Sequence, residues 1–326
     1  MNNSHLFRKE VVVPPSNFKI NHDDQLILVG SCFTSNIASF FSQACFQFYS
    51  PFGTLYNPVT IANNFKRILN REPYTVADLV LNNERYYSWN HSSIYSENSE
   101  KETLLLINDE IYRFNEIIKS SSTIIITFGT SMVYEHKEYG LVGNCHKIPS
   151  KEFTKKMLSI EEMHNTWREL IQLLNTKQII FTVSPVRHWS DGAIENTRSK
   201  AFLHLLISSL ESEFENTSYF PSYELIIDEL RDYRFYKKDM LHPSQEAVEF
   251  IWEKFAACYF TSSTIGVLNE VNAIRKLLEH KPFNPSSDQH QKFLQKCLTD
   301  INTIQSKTPH YSWKEELEQI KAQIEN

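Results

Sequence analysis

Four apolar runs lie along the chain at the spacing an α/β sheet requires. Leu26–Val29 stops at Gly30, Cys45–Tyr49 ends in the turn Ser50-Pro51-Phe52-Gly53, Thr123–Phe128 stops at Gly129, and Gln178–Val183 stops at Ser184-Pro185. Continuous rather than alternating hydrophobicity predicts strands covered on both faces, as in a parallel sheet. A fifth strand is expected within Tyr219–Ile227, interrupted by Pro221. Between the runs, a helix begins at Ile37 to Phe41. Met163–Leu174 and Lys200–Phe214 also carry helical spacing, the latter through Phe202, Leu205, Leu206 and Leu210. Strand, turn and helix in alternation predict an α/β fold, a three-layer α/β/α sandwich with a mostly parallel sheet.

Two stretches fall outside this alternation. Arg71 to Lys119 reads as an insertion of helices and loops near the sheet's edge, rich in aromatics (Tyr86, Tyr87, Trp89, Tyr95). From Leu268 onward the chain is charged and helical, and Lys281-Pro282-Phe283-Asn284-Pro285-Ser286-Ser287 splits it into at least two helices. The expected division is an α/β domain over residues 1–262, with the insertion at 71–119, and a helical extension over 263–326. In that extension the stripe Ile274, Leu277 and Leu278 is expected to pack against the main domain.

Composition narrows the function classes. A chain of 326 residues can bury a full core, and 41% hydrophobic content with 13% aromatics excludes a disordered protein. A formal net charge of -6 with scattered Lys and Arg gives no basic footprint, so neither nucleic acid nor a membrane surface is an expected partner. The start, Met1 to Lys9, is polar, and Val11-Val12-Val13, closed by Pro14-Pro15, is far too short for a signal segment or a span. The cysteines (Cys32, Cys45, Cys145, Cys258, Cys297) are odd in number and widely spaced, with no CxxC pair. Neither a disulfide framework nor a zinc site is indicated, and a reducing cytoplasm is the plain expectation. No metal and no cofactor are expected.

Candidate chemistry begins where the first strand ends. Leu26 to Asn36 reads Leu-Ile-Leu-Val-Gly-Ser-Cys-Phe-Thr-Ser-Asn, so two candidate nucleophiles, Ser31 and Cys32, follow a glycine at the start of a helix. Such a turn holds a side chain at the carboxyl edge of a sheet and aims free backbone N–H groups at whatever binds there. The second feature is Asp239-Met240-Leu241-His242-Pro243. A carboxylate this close to a histidine, in a tight turn, can accept from one imidazole nitrogen while the other faces a nucleophile. Arg187 and His188 follow a strand's carboxyl end, where ligands of α/β sheets bind, and are read as contacts to a carboxylate or phosphate or as a surface salt bridge. Trp89 and His91, from the insertion, either roof the site or pack beside it.

With these residues in view, the chain resembles a known group. Gly30-Ser31-Cys32-Phe33-Thr34 looks like the name-giving motif of the GSCFA family, within the SGNH (GDSL-like) hydrolase superfamily. The likeness runs from about Leu6 through the helical tail. It takes in Pro51-Phe52-Gly53-Thr54-Leu55-Tyr56-Asn57-Pro58, Asn144-Cys145-His146, Ser184-Pro185-Val186-Arg187-His188 and Arg231 to His242. The superfamily pattern implies Cys32 at the nucleophile's position with Ser31 beside it, and Asp239 with His242 as the orienting acid and base. It also implies a backbone N–H of Gly53 facing an oxyanion. Its third block, Gly-x-Asn-Asp, here reads Gly129-Thr130-Ser131-Met132, so the asparagine is missing, and Ser131, Asn144 or Asn57 stands in as a replacement donor.

Cysteine or serine decides the chemistry. A thiol at a helix N-terminus beside a histidine can have its pKa drawn down from ~8.5 toward neutrality and form a thioester suited to acyl transfer. Serine would need His242 as general base and would favour ester hydrolysis. The resemblance implies a hydrolase or acyltransferase. Its partners would be a small-molecule or carbohydrate ester and, for transfer, an acyl-CoA donor. The rival from another class is a non-catalytic binding or scaffold protein that keeps the same fold.

Overall fold

The computed structural model describes residues 9–279, 283–284 and 287–324. The chain opens with β1 (Leu26–Gly30), α1 (Cys32–Gln43) and a two-residue β2 (Phe48–Tyr49). α2 (Pro58–Leu69), the hairpin of β3 (Leu79–Asn82) and β4 (Arg85–Ser88), and α3 (Glu100–Ser120) lead to β5 (Thr123–Phe128). A small antiparallel sheet of β6 (Met132–His136), β7 (Gly140–Val142) and β8 (Phe153–Met157) precedes α4 (Ile160–Leu173) and β9 (Gln178–Val183). Next come α5 (Ala193–Glu213), β10 (Thr217–Tyr219), a short turn of helix α6 (Ser222–Glu224) and α7 (Gln245–Tyr259). The tail holds α8 (Ser262–Leu278), α9 (Asp288–Gln305) and α10 (Lys314–Ile324).

The main sheet has five strands, all parallel, in the order β10-β9-β5-β1-β2. Its apolar runs are continuous because both faces are covered. Ile27, Val29, Ile124, Ile126, Ile179 and Phe181 meet α2 to α5 on one side, whereas Leu26, Leu28, Ile125 and Ile180 meet α1 and α7 on the other. The connection from β1 to β2 therefore runs over one face and the connection from β2 to β5 over the opposite one. That reversal opens a crevice at the carboxyl ends of β1 and β5, where ligands of open α/β sheets bind.

Several elements differ from the sequence expectation. The second strand is confined to Phe48–Tyr49, because the N–H groups of Ala44, Cys45 and Phe46 turn back onto carbonyls at the end of α1. The fifth strand ends at Tyr219. Leu225–Glu229, which overlaps the end of the expected Tyr219–Ile227 stretch, forms a π-helical segment that buries Leu225 and Ile226 against the α7 side of the core. The insertion contains a β-hairpin as well as the expected helix, and the β6-β7-β8 sheet was not foreseen at all. In the tail, Val271, Ile274, Leu294, Cys297, Ile301 and Trp313 build a core of their own with Cys45. α8 ends before, and α9 begins after, the expected break. Within it, Lys281, Pro282, Pro285 and Ser286 lie outside the described residues, as does Met1–Arg8 of the polar start. Among the described residues no helix is long and apolar enough to cross a membrane.

Candidate active site

β1 ends at a residue that cannot carry a side chain. Gly30 has φ +145, and a Cβ there would stand 2.2 Å from the Thr127 carbonyl oxygen of β5. This close approach lets the Ser31 N–H donate to Thr127 O at 3.1 Å and turns the chain sharply into α1. Ser31 is the N-cap of that helix. Its hydroxyl is buried and accepts from the Phe33 N–H at 3.3 Å, an ordinary capping role. Cys32 is the first helical residue, half-buried, with Sγ 3.8 Å from Nε2 of His242. Of the two candidate nucleophiles, only Cys32 is paired with the histidine in this geometry.

The histidine comes from a tight turn closed by a bridge between Tyr236 and Pro243. Lys237 N donates to His242 O at 2.8 Å and Met240 N to Lys237 O at 2.9 Å, with Met240 at φ +59. Asp239 organises the turn. Oδ1 accepts from the backbone N–H groups of Leu241 (2.9 Å) and His242 (3.0 Å), and Oδ2 lies 2.7 Å from His242 Nδ1. These backbone donors and the imidazole hold the Asp239 carboxyl at about 2, so it is an acceptor at all working pH. Nδ1 must then carry the proton, which leaves Nε2 as the acceptor facing sulfur. Ser244 caps α7 and anchors the turn to the core.

Charge around Cys32 differs from the sequence expectation. Burial pushes its thiol up. The N–H groups of Cys32 and Phe33 and the cations of Lys200 and Lys237 pull it back without reversing the shift. The helix N-terminus alone does not compensate for desolvation, so the resting group is a thiol, not a thiolate. Lys200, on α5, is fully buried. Its ammonium donates to Gly129 O at 2.6 Å and Ser184 O at 2.7 Å, joining the carboxyl ends of β5 and β9.

Burial lowers the Lys200 pKa to about 7, and the sign of the consequence follows. An unfolded lysine titrates near ~10.4, so between these values the unfolded chain holds a proton that the folded one has released. Stability rises with pH across that window, at up to ~1.4 kcal/mol per pH unit. Urea unfolding should therefore gain roughly 1–2 kcal/mol between about pH 7.5 and about pH 9 in the native protein, a gain missing from Lys200→Met. An identical pH response in both would contradict the assignment.

The expected oxyanion donors fall in different places. Gly53 lies one residue before Thr54, which pairs with Gly30, so it stands beside the Cys32 turn. Its φ of +67, and a would-be Cβ 1.9 Å from Ser92 Oγ, require glycine there. Ser131 is fully buried and bonded to Ser199, which takes its side chain out of any site. The N–H groups of Gly129 and Thr130 both donate to Tyr56 O. Asn57 and Asn144 line a cavity of about 310 Å³ together with Tyr56, Tyr134, Cys145 and His188. Asn57 Oδ1 caps α2 through Thr60 N, and Asn144 Oδ1 accepts from His146 N. The Nδ2 groups of both asparagines have no partner among the described residues. Cys32 is not part of this cavity's lining, but Tyr56 is within electrostatic reach of Cys32 and His188 of His242. The cavity thus adjoins the cysteine–histidine pair.

Of the substrate contacts read from sequence, His188 meets the cavity, stacks edge-on against Tyr56 at 5.1 Å and is lowered to about 4 chiefly by burial. Arg187 is half-buried beside it. His91 is a correction. It is 1% exposed, packed among Phe52, Tyr74 and Tyr95, and belongs to the core. Trp89 is buried too, and its carbonyl holds the loop carrying Gly143 and Asn144, so it supports the cavity wall from behind. Lys200, Tyr56 and the antiparallel sheet that supplies Tyr134 were missed. A lysine on the apolar stripe of α5, in line with Leu203 and Ile207, was the available signal. Among the described residues no His, Cys, Asp and Glu side chains cluster as a metal site.

Comparison with known sequences bears on the same segments. A model described as the GSCFA family matches residues 25–255, and one described as the GSCFA domain protein, C-terminal domain, matches residues 271–326. No curated protein matches the chain. The first match spans most of the sequence, from before β1 into α7, with Cys32, Asp239 and His242 all inside it, and by that match the chain belongs to the GSCFA family.

Proposed function

We propose that this protein is a hydrolase of ester or thioester bonds, or an acyltransferase, working through Cys32, His242 and Asp239 on a fold of the SGNH kind. The observation that carries the reading is the continuous relay from Sγ to Nε2 (3.8 Å) and from Nδ1 to Oδ2 (2.7 Å) at the crevice between β1 and β5. A nucleophile turn after the first strand, followed much later by an Asp-x-x-His turn, is what the superfamily resemblance leads one to expect.

The chemistry follows from the protonation states. His242 Nε2 takes the Cys32 proton as sulfur attacks the acyl carbon, and Asp239 stabilises the imidazolium through Nδ1–H. Collapse of the tetrahedral oxyanion breaks the bond to the leaving group, which takes the proton from Nε2 and leaves a thioester on Cys32. Water, or an acceptor hydroxyl, then gives its proton to His242, attacks the thioester and restores the thiol. Gly53 and the Nδ2 group of Asn57 are the oxyanion donors in this reading. Tyr56 and Tyr134 faces with the Asn57 and Asn144 amides suit a polyhydroxylated ring, which favours an O-acylated carbohydrate as substrate, with acyl-CoA as donor in the transfer version. A free thiol nucleophile goes with a cytoplasmic site of action.

Intact-mass spectrometry after exposure to a panel of acyl esters and acyl-CoAs tests this directly. An acyl adduct on Cys32, absent from Cys32→Ala, is expected, and no adduct from any donor would sink the proposal. The raised thiol adds a second expectation. Alkylation of Cys32 should accelerate with pH through and beyond the ordinary ~8.5 of a free thiol, not plateau below it. One observation favours a second reading, a binding protein without turnover: Gly129 and Thr130 give their N–H groups to Tyr56 O, and Ser131 is tied to Ser199, so the third block offers no donor from these groups. An unacylated Cys32 with retained ligand binding would favour that reading.

A further inference from the structure

Arg187 has a charge with nothing to meet it. The residue is half-buried, just past the carboxyl end of β9, and among the described residues its guanidinium makes no hydrogen bond, no ion pair and no stack on a ring. Its place is fixed by the backbone around it. Ser184 N donates to Phe128 O at 2.8 Å, His188 N to Asn196 Oδ1 at 3.0 Å, and Trp189 N to Arg187 O at 3.1 Å. Its charge reaches Lys200, Tyr223 and Tyr236. Tyr236 bridges to Pro243, the neighbour of His242, and Lys200 reaches Cys32. Arg187 thus sits at the same carboxyl edge of the sheet as the turn that carries Cys32.

The acids nearby serve other partners. Asp239 is bonded to His242, Asp191 to Lys155 at 2.5 Å, and Glu224 to His204 and Tyr219. Lys200, fully buried, bonds only to neutral carbonyls. In a chain with a net charge of -6, Arg187 stands here without a matching carboxylate among the described residues. The planar fork of N–H donors on Arg187 fits the paired oxygens of a carboxylate or phosphate.

We infer that the substrate carries an anionic oxygen group, a carboxylate or a phosphate, which Arg187 holds beside the bond attacked by Cys32. The inference rests on the Cys32 reading above and names the class of substrate it takes.

The test uses the full chain and two small alkylating reagents, anionic iodoacetate and neutral iodoacetamide, with modification of Cys32 read by peptide mass spectrometry. The same cysteine in the urea-unfolded chain gives the reference ratio of the two rates. In the folded protein the iodoacetate-to-iodoacetamide ratio should exceed that reference by about tenfold, the equivalent of one modest charge contact. It should fall to the reference in Arg187→Gln and keep part of the excess in Arg187→Lys. A folded ratio equal to the reference, or an excess that persists in Arg187→Gln, overturns the inference. If Cys32 reacts with neither reagent, the nucleophile reading fails on its own. Calorimetric titration with succinate and with inorganic phosphate then decides the anion site. Binding of either, lost in Arg187→Gln, supports it and identifies which oxyanion is preferred; binding of neither overturns it.

Discussion

Cys32→Ala should lower acyl transfer from an activated ester by on the order of 10⁴–10⁶-fold, the loss that follows removal of a nucleophile from a relay that acts as one unit. Ser31→Ala should leave the reaction within about tenfold of native, because that hydroxyl caps α1, and its removal costs only ~1 kcal/mol of stability. The contrast matters more than either value, since the two residues are adjacent and both could be nucleophiles by composition. Asp239→Asn should cost on the order of 10⁴-fold, because an amide in place of the carboxylate removes the acceptor that fixes the His242 tautomer. Steady-state rates on an aryl ester, with folding checked by circular dichroism, measure all three. Loss of activity in Ser31→Ala with retention in Cys32→Ala would reverse the assignment.

Gly30→Ala should be the most damaging small substitution for stability. The added methyl group would lie 2.2 Å from Thr127 O and 2.8 Å from Thr127 C, both backbone atoms of the adjacent strand, at a φ that L-residues rarely adopt. Strain at such a φ costs ~1–3 kcal/mol, and overpacking against backbone that cannot move aside costs as much again. A loss of about 3–5 kcal/mol is expected by urea unfolding, together with loss of Cys32 alkylation by any reagent that depends on the turn. A native unfolding midpoint in this variant would mean that β1 and β5 do not approach as closely as the geometry requires.

The sheet was legible where its strands are buried on both faces. Leu26–Val29, Thr123–Phe128 and Gln178–Val183 are continuous, largely β-branched apolar runs broken only by Thr and Gln, and the structure keeps each of them as a strand. The β6-β7-β8 sheet was invisible because one side is exposed. Phe153-Thr-Lys-Lys-Met157 carries two lysines, and its pairing partner lies in a separate stretch of chain. Leu225-Ile226-Ile227 has strand-like composition, but it follows Pro221 and finds its burial against α7, so tertiary packing overrode propensity.

The site divides along the same line. Asp239 and His242 were readable because their interaction is local, within one turn. Ser131 and His91 were misplaced as site residues because residue type alone cannot tell a pocket wall from a core filler. Lys200 was missed for the opposite reason: a buried lysine satisfied by two carbonyls of distant strands has no local signature beyond its position on an apolar stripe.

The helix that begins at Cys32 ends where the tail takes hold. At its far end Gln43 O accepts from Arg275 Nε at 2.6 Å, and Cys45 O lies 2.6 Å from His310 Nε2. With 12 residues, α1 is a rigid rod about 18 Å long, clamped by the C-terminal helices at one end and carrying sulfur at the other. Removing the tail is therefore not a neutral trimming. It releases the lever arm that sets sulfur's reach toward imidazole, and a shortened chain reports that loosened alignment along with whatever the tail does by itself.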